Sequence, residues 1–373
     1  MHKKFIKHTL AKHPPDRILL VLLFALVGLG LILLASASVV ISQERFNKPY
    51  YYWTHQLIYG VGIGLILFFI TQKIHYKLWK KLAVIILAIS IISLILVFVP
   101  GIGFGYGGAR RWINLGFTSI QPSEIIKLGF IIYLAAWLEK RKTEVKTFAQ
   151  STLPFLIIMG LIGILIIAQP DIGTLGVIVM IGIIIFFLAG ARISHVFLIF
   201  LGGLASLVTL IKVAPYRMNR LLSFINPELD PLGISYQINQ ALLSIGSGGL
   251  FGRGLGHSLQ KYNYLPSPTS DSIFAIAAEE LGFIGAVILI ILFLALILRG
   301  FKIAKNSPDR FAQLTAAGIA SWFAIQAFVN IGAITGLIPL TGITLPLISY
   351  GASSMIISLA AAGILINISK YTT

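Results

Sequence analysis

Length and continuity of apolar runs constrain this chain more than any other feature. A membrane-crossing helix needs about 20 mostly apolar residues. Ten candidates run approximately 18–42, 55–72, 82–100, 122–138, 149–168, 172–191, 193–213, 272–298, 311–334 and 345–368. They are too long and unbroken to be porin-type strands, which alternate over short segments. In hydrocarbon a helix satisfies its own backbone, so helices are expected throughout. With 57% hydrophobic and 11% charged residues, the chain carries less than half the charge of a soluble domain, about 25%. The expected fold is an all-α polytopic membrane protein, one bundle of about ten helices over 1–373, with a tail at 1–17. No cleavable signal peptide is evident, because the first run is already span-length.

Basic residues give the orientation. Most of the 29 lysines and arginines fall on one side of a ten-span topology. They are Lys3, Lys4, Lys7, Lys12 and Arg17; Lys73, Lys77, Lys80 and Lys81; Lys140, Arg141, Lys142 and Lys146; Arg192; Arg299, Lys302, Lys305 and Arg310; and Lys370. That side is read as cytoplasmic and includes both termini. The net charge of +17 is dispersed at membrane borders, which suits anionic lipid rather than nucleic acid. There are no cysteines and the seven histidines lack metal-ligand spacing, so thiolate chemistry is excluded and a histidine metal site is not expected.

Only twelve residues are Asp or Glu, and Glu124, Asp171, Asp271, Glu279 and Glu280 fall at the outward ends of apolar runs. Carboxylates near hydrocarbon need a partner or a purpose. Asp271, where the long loop 214–271 enters the eighth run, is either a helix cap or a general base facing a wet cavity. Glu279 and Glu280 point about 100° apart on a helix, so they are not expected to share a partner, and at least one should pair with Arg or Lys. Glu124 and Lys127 share a helix face as an ion pair or as part of a site. Asp171, in the tight turn after Gln169-Pro170, caps the next helix or serves a site.

Arg110 and Arg111 beside Trp112 suit a phosphate or pyrophosphate with an aromatic anchor, or ordinary interfacial anchoring. Arg217 and Arg220 suit a headgroup or a substrate phosphate. Within the loop, Ile234, Ile238, Leu242 and Ile245 recur at helical spacing, the pattern of a helix lying on the outer leaflet. The stretch Gly336–Ser354, uncharged and dense in Gly, Pro, Ser and Thr, belongs in protein or against a cavity; Ser349 and Tyr350 lie within it.

Several segments together resemble one family. They are Val99–Gly103, Gly108–Gly116 with Ala109-Arg110-Arg111-Trp112-Ile113-Asn114, Gln121-Pro122-Ser123-Glu124, Gln169-Pro170-Asp171, Tyr216–Asp230, Glu279-Glu280-Leu281-Gly282 and Leu345–Ser354. In order and over nearly the whole chain they resemble the SEDS family (shape, elongation, division and sporulation). Val99–Gly103 and Gly254–Pro266 are closer to its division members than to its elongation members.

The resemblance implies a ten-helix peptidoglycan glycosyltransferase polymerising lipid II at the outer face of the bacterial cytoplasmic membrane. It also implies a class B penicillin-binding protein and other division-site membrane proteins as partners. Asp271 matches the family's essential acid, to act as base. Arg110, Arg111, Lys127, Arg217 and Arg220, with a divalent cation such as Mg or Mn as a further candidate, would receive the leaving pyrophosphate. Trp112 would support the loop or the lipid-linked sugar, Glu124 and Asp171 would orient the cations, and Ser349 and Tyr350 would line the cavity. One departure stands out: the family usually reads Pro-Glu-Ala-His-Thr-Asp-Phe, where this chain has Pro266-Ser267-Pro268-Thr269-Ser270-Asp271-Ser272. A lipid flippase and an inert scaffold are the rival readings.

Overall fold

A computed structural model describes residues 13–106, 109–116, 118–141 and 144–372; Lys3, Lys4, Lys7, Lys12, Lys142 and Gly108 lie outside the described residues. The chain opens with α1 (Arg17–Phe46), capped by Asp16, whose carboxylate accepts from the Leu19 amide. Next come α2 (Tyr51–His55), a π-helical stretch Gln56–Gly62, α3 (Ile63–Lys73) and α4 (Tyr76–Leu96). After the first loop come α5 (Pro122–Lys140), a π-helical turn Phe148–Thr152 leading into α6 (Leu153–Ala168), α7 (Ile172–Leu188) and α8 (Ile193–Val213). The long loop holds α9 (Pro215–Ile225) and α10 (Tyr236–Ser247). The chain ends with α11 (Ile273–Lys305), α12 (Arg310–Ile334) and α13 (Ala352–Ser369).

Among the described residues, eight helices are long and apolar enough to cross a membrane. Of the remaining expected spans, α7 is apolar but shorter, and α5 carries Glu124, Lys127, Glu139 and Lys140 within 19 residues. The most enclosed elements are α13, with every residue but Ile357 buried, and α12. α13 packs on α3 and α12 on α11; α8, with Ile199 its one buried residue, stands at the periphery.

The structure corrects the sequence reading at several points. The glycine-rich loop 101–121 contains a three-stranded antiparallel sheet in the order β1 (Gly103–Tyr106), β2 (Ala109–Asn114), β3 (Ser119–Ile120). Phe104 faces Trp112 and Ile113 faces Ile120 across it. A side chain at Gly103 would sit 1.7 Å from the Val97 carbonyl oxygen, so only glycine lets the first strand turn back on α4. The tenth run is not helical from its start: residues 345–351 are irregular and α13 begins at Ala352. α10 presses Ile238, Ala241 and Ser244 into protein and leaves Leu242 exposed. Its buried face therefore packs on α11 along a different stripe from the one its apolar spacing suggested.

α11 is broken at Gly282, whose φ of 70° and ψ of −173° form a combination essentially restricted to glycine. The backbone groups freed by the break are taken up by the loop after α10. Arg253 and Gly254 amides donate to the Glu279 and Glu280 carbonyls, and Phe283 and Ile284 amides donate to the carbonyls of Gly249 and Leu250. Interrupted helices survive at membrane depth only where such partners exist.

The paired glutamates reinforce the junction. Glu279 accepts from the Ser258 hydroxyl at 2.5 Å and the Leu259 amide at 3.0 Å, with Arg253 at 3.8 Å. Glu280 accepts from Ser36 of α1 at 2.5 Å and pairs with Lys261 at 3.2 Å. Their cations differ, but both carboxylates bond Ser258, one through its hydroxyl and one through its amide. The loop wraps around α11 instead of lying along one face, which is why two diverging side chains reach the same residue.

Candidate active site

Asp271 lies just before α11 but does not cap it. The capping position belongs to Ser272, whose side chain makes no cap bond. The Asp271 carboxylate instead accepts from Gln237 Nε2 of α10 at 3.1 Å and from the Ser270 hydroxyl at 3.1 Å. Its carbonyl accepts from Asn330 Nδ2 of α12 at 2.8 Å, and the same nitrogen donates to the Ile343 carbonyl at 2.7 Å. The preceding residues are held by the uncharged 336–354 stretch. The Ser349 hydroxyl donates to the Ser270 carbonyl at 2.5 Å, and the Tyr350 amide to the Thr269 carbonyl at 2.8 Å. The Tyr350 phenol lies 3.2 Å from His55 Nδ1.

Across from the carboxylate stands Arg220 of α9, exposed and donating to the Leu340 carbonyl at 3.2 Å. Gly342 lies between them: a side-chain carbon there would meet the Arg220 guanidinium at 3.8 Å and Asp271 Oδ2 at 4.0 Å. Burial pushes the Asp271 pKa above the usual carboxylate range, opposed by the hydrogen bonds from Gln237 and Ser270 and by the Arg220 charge. A carboxylate whose proton affinity is raised by burial, with a cation facing it, is the arrangement expected of a general base.

A second polar cluster is buried nearby in the fold. Lys127 Nζ lies 2.8 Å from Glu124 and 2.8 Å from Gln326 Oε1, and sits 4.8 Å from the centre of the Trp322 ring. Trp322 Nε1 donates to the same Gln326 oxygen at 2.6 Å, and Gln326 Nε2 donates to the Thr344 carbonyl at 2.9 Å. Asp171 caps α7 through the Thr174 amide, at 3.3 Å, and accepts from Gln121 and Ser123. Arg111 is tied to the α6–α7 turn, donating from Nε to the Gln169 carbonyl at 3.1 Å and from Nη2 to the Pro170 carbonyl. Gln326 and Asn330, one helical turn apart on α12, thus grip Thr344 and Ile343, and so join this cluster to Asp271.

Residues 17–373 match the model of the FTSW_RODA_SPOVE family, described as cell cycle protein. The chain belongs to the FtsW/RodA/SpoVE family. It is 43% identical to the stage V sporulation protein E of Bacillus subtilis, over 98% of this chain and 99% of that one. It is 40% identical to a probable peptidoglycan glycosyltransferase FtsW of Trichlorobacter lovleyi, over 95% of this chain and 93% of the other. Among solved structures it is similar to a chain from a peptidoglycan synthase complex that coordinates polymerization and crosslinking. There the TM-score is 0.78 with 30% identity, over 95% of this chain and 97% of that one. It is likewise similar to the rod shape determining protein RodA of Thermus thermophilus, with TM-score 0.71 and 29% identity, over 96% and 98% of the two chains.

In this FtsW/RodA/SpoVE chain the expected site residues divide into three groups. Asp271, Arg220 and Ser349 converge. Glu124, Lys127, Asp171 and Arg111 are each engaged in buried or half-buried contacts. Arg110 is exposed on the sheet, with Trp112 half-buried against Phe104, and Arg217 folds back on Tyr216 and the Leu210 carbonyl. Sequence reasoning overlooked Asn330 and Gln326 and gave Gln237 no role. The available signal was two amides four residues apart inside an apolar run, where an unpaired amide is costly. For a resident divalent ion the surroundings of Asp271 do not fit: its neighbours are an amide, hydroxyls and a guanidinium. Among the described residues no group of three His, Cys, Asp or Glu side chains converges.

Proposed function

We propose that this peptidoglycan glycosyltransferase polymerises lipid II, with Asp271 as general base. Asp271 removes the proton from the acceptor sugar's 4-hydroxyl as that oxygen attacks the donor's anomeric carbon. The bond from that carbon to undecaprenyl pyrophosphate breaks, the pyrophosphate leaves with the electron pair, and configuration inverts. A single base is enough for direct displacement, with no enzymic nucleophile. Charge developing on the leaving group needs a waiting cation. Among the described residues Arg220 is the cation facing Asp271, and Arg110, exposed on the sheet, is the candidate for the distal phosphate.

The observation that carries this reading is the Asp271 carboxylate, uncommitted to any helix cap and held opposite Arg220 across Gly342. The proposed setting is a ten-span bundle with both termini cytoplasmic and Asp271 at the outer face, working at the septum beside a class B penicillin-binding protein. Similarity to a chain from a synthase complex that also crosslinks supports the partnership. Similarity to FtsW and sporulation relatives supports the septal role.

The test is gel analysis of labelled lipid II incubated with purified protein, alone and with the partner. Glycan strands from the wild type, and none from Asp271→Asn, are expected. Wild-type strands from Asp271→Asn refute the base. Polymerisation in detergent separates catalysis from flipping, which has no meaning without a bilayer.

A further inference from the structure

A catalytic carboxylate must be held as well as ionised. The residues flanking Asp271 supply little of that hold. Ser267, Pro268, Thr269 and Ser272 send no side-chain hydrogen bond to the carboxylate among the described residues, and Ser270 contributes one hydroxyl. We infer that Gln237 and Asn330 are the positioning residues of Asp271, one fixing its carboxylate and the other its main chain. This rests on reading Asp271 as the base.

Asn330 is 1% exposed and sits on α12, among the most enclosed helices of the bundle. Its amide nitrogen holds two carbonyls at once, Asp271 at 2.8 Å and Ile343 at 2.7 Å. An amide NH2 has two protons to give, so the group is fully used in joining the Asp271 turn to the irregular 341–345 segment. The joint is rigid because α12 is locked on its own account: one turn earlier, Gln326 bonds Lys127, Trp322 and Thr344.

Gln237 approaches from another direction. Its Nε2 divides between Asp271 Oδ2 at 3.1 Å and the Ser272 hydroxyl at 3.2 Å. α10 is itself tied to α11 by Ser244, which donates to the Ala275 carbonyl and to Glu279. Asp271 is therefore held from two separately anchored helices, its carboxylate by α10 and its main chain by α12. Arg220 of α9 is the charged group acting on it. α10, α12 and the 343–350 segment present amides and hydroxyls there, and Tyr350 turns its phenol to His55.

The two arms act differently. Gln237 donates to the ionised carboxylate and so favours it, whereas Asn330 touches only the main chain. The experiment uses full-length purified protein in detergent with labelled lipid II, and measures kcat and KM against pH for Gln237→Met, Asn330→Leu and Asp271→Asn.

For Gln237→Met the acid limb should move to higher pH by about half a unit or more, with activity recovering as pH rises and KM within about twofold. For Asn330→Leu, kcat should fall about tenfold or more at every pH, with KM unchanged. A wild-type limb in Gln237→Met, or a wild-type kcat in Asn330→Leu, overturns that arm, as does a change confined to KM or melting temperature. If Asn330→Leu does not fold, Gln237→Met alone decides the inference. Activity in Asp271→Asn defeats the base reading itself. Inactivity there beside wild-type behaviour in the other two defeats only the clamp.

Discussion

Arg220 and Asp271 converge on Gly342: a side-chain carbon at that glycine would stand 3.8 Å from the guanidinium and 4.0 Å from the carboxylate. The glycine, at φ +73°, keeps open the gap between cation and base. Gly342→Ala would both strain a left-handed residue and fill the gap. Lipid II polymerisation should drop on the order of tenfold or more, equivalent to about 1.4 kcal/mol in the barrier, while stability in detergent falls only by the strain of one residue, about 1–2 kcal/mol. Unaltered turnover would show that substrate does not pass between these two groups.

The raised pKa of Asp271 sets the pH dependence. The base works ionised, so activity is lost as pH falls through the folded-state pKa, and that limb lies above the ordinary aspartate value of about 3.9. For stability the sign is opposite. A raised folded pKa gives stability fully present below the unfolded value and lost as pH rises through the folded one. At neutral pH the ionised carboxylate is therefore a cost. Asp271→Asn should be inactive yet melt at higher temperature than wild type, which paired activity and thermal-unfolding measurements at neutral pH would check.

Lys127 and Glu124 form a buried pair, with side-chain exposures of 2% and 6%. Removing the cation alone leaves a carboxylate with no counter-charge, a change that costs about 3–5 kcal/mol in buried pairs. Lys127→Met should purify poorly or melt far below wild type, and Lys127→Met with Glu124→Leu should recover much of the loss. Normal melting with reduced polymerisation in the single variant would instead mean that the lysine serves the substrate.

Gly282 is the break in α11, and a side-chain carbon there would lie 2.2 Å from the Gly252 amide nitrogen. Gly282→Ala must either straighten the helix or push the 249–254 loop away, and each route breaks the hydrogen bonds knitted across the gap. Destabilisation of about 1–3 kcal/mol or more is expected from the backbone alone, with loss of activity because Asp271 leads directly into the near half of that helix. Limited proteolysis in the 249–262 loop should accelerate. Resistance equal to wild type would mean the clasp is dispensable.

Much of this was legible in the chain before any coordinates. Helices in hydrocarbon follow from run length, so the expected runs fall largely on helices, the first residues of the tenth excepted. Glu124 with Lys127 follows from a spacing of three, and the Asp171 cap from a tight turn ahead of an apolar run. Local rules sufficed wherever a residue's partner lies within one helical turn. They failed where the partner is distant. The strands at 103–120 depend on a glycine meeting the end of α4, and α10 buries a stripe that its own apolar pattern does not favour, because α11 offers the Ala275 carbonyl and the Glu279 carboxylate to Ser244.

The amino-acid order by itself determined a bundle of membrane helices, the poverty of acids that makes Asp271 conspicuous, and the family signature along the rest of the chain. Only the tertiary structure decided that Asp271 is not a helix cap. It also decided that Arg220 faces the carboxylate across Gly342 while Arg217 turns away, and that Gln237 and Asn330 do the holding. Periodicity fixes which face of a helix a side chain occupies. Which distant face it meets depends on how the whole bundle packs, and the charge and hydrogen bonding of a catalytic carboxylate are set by those distant neighbours.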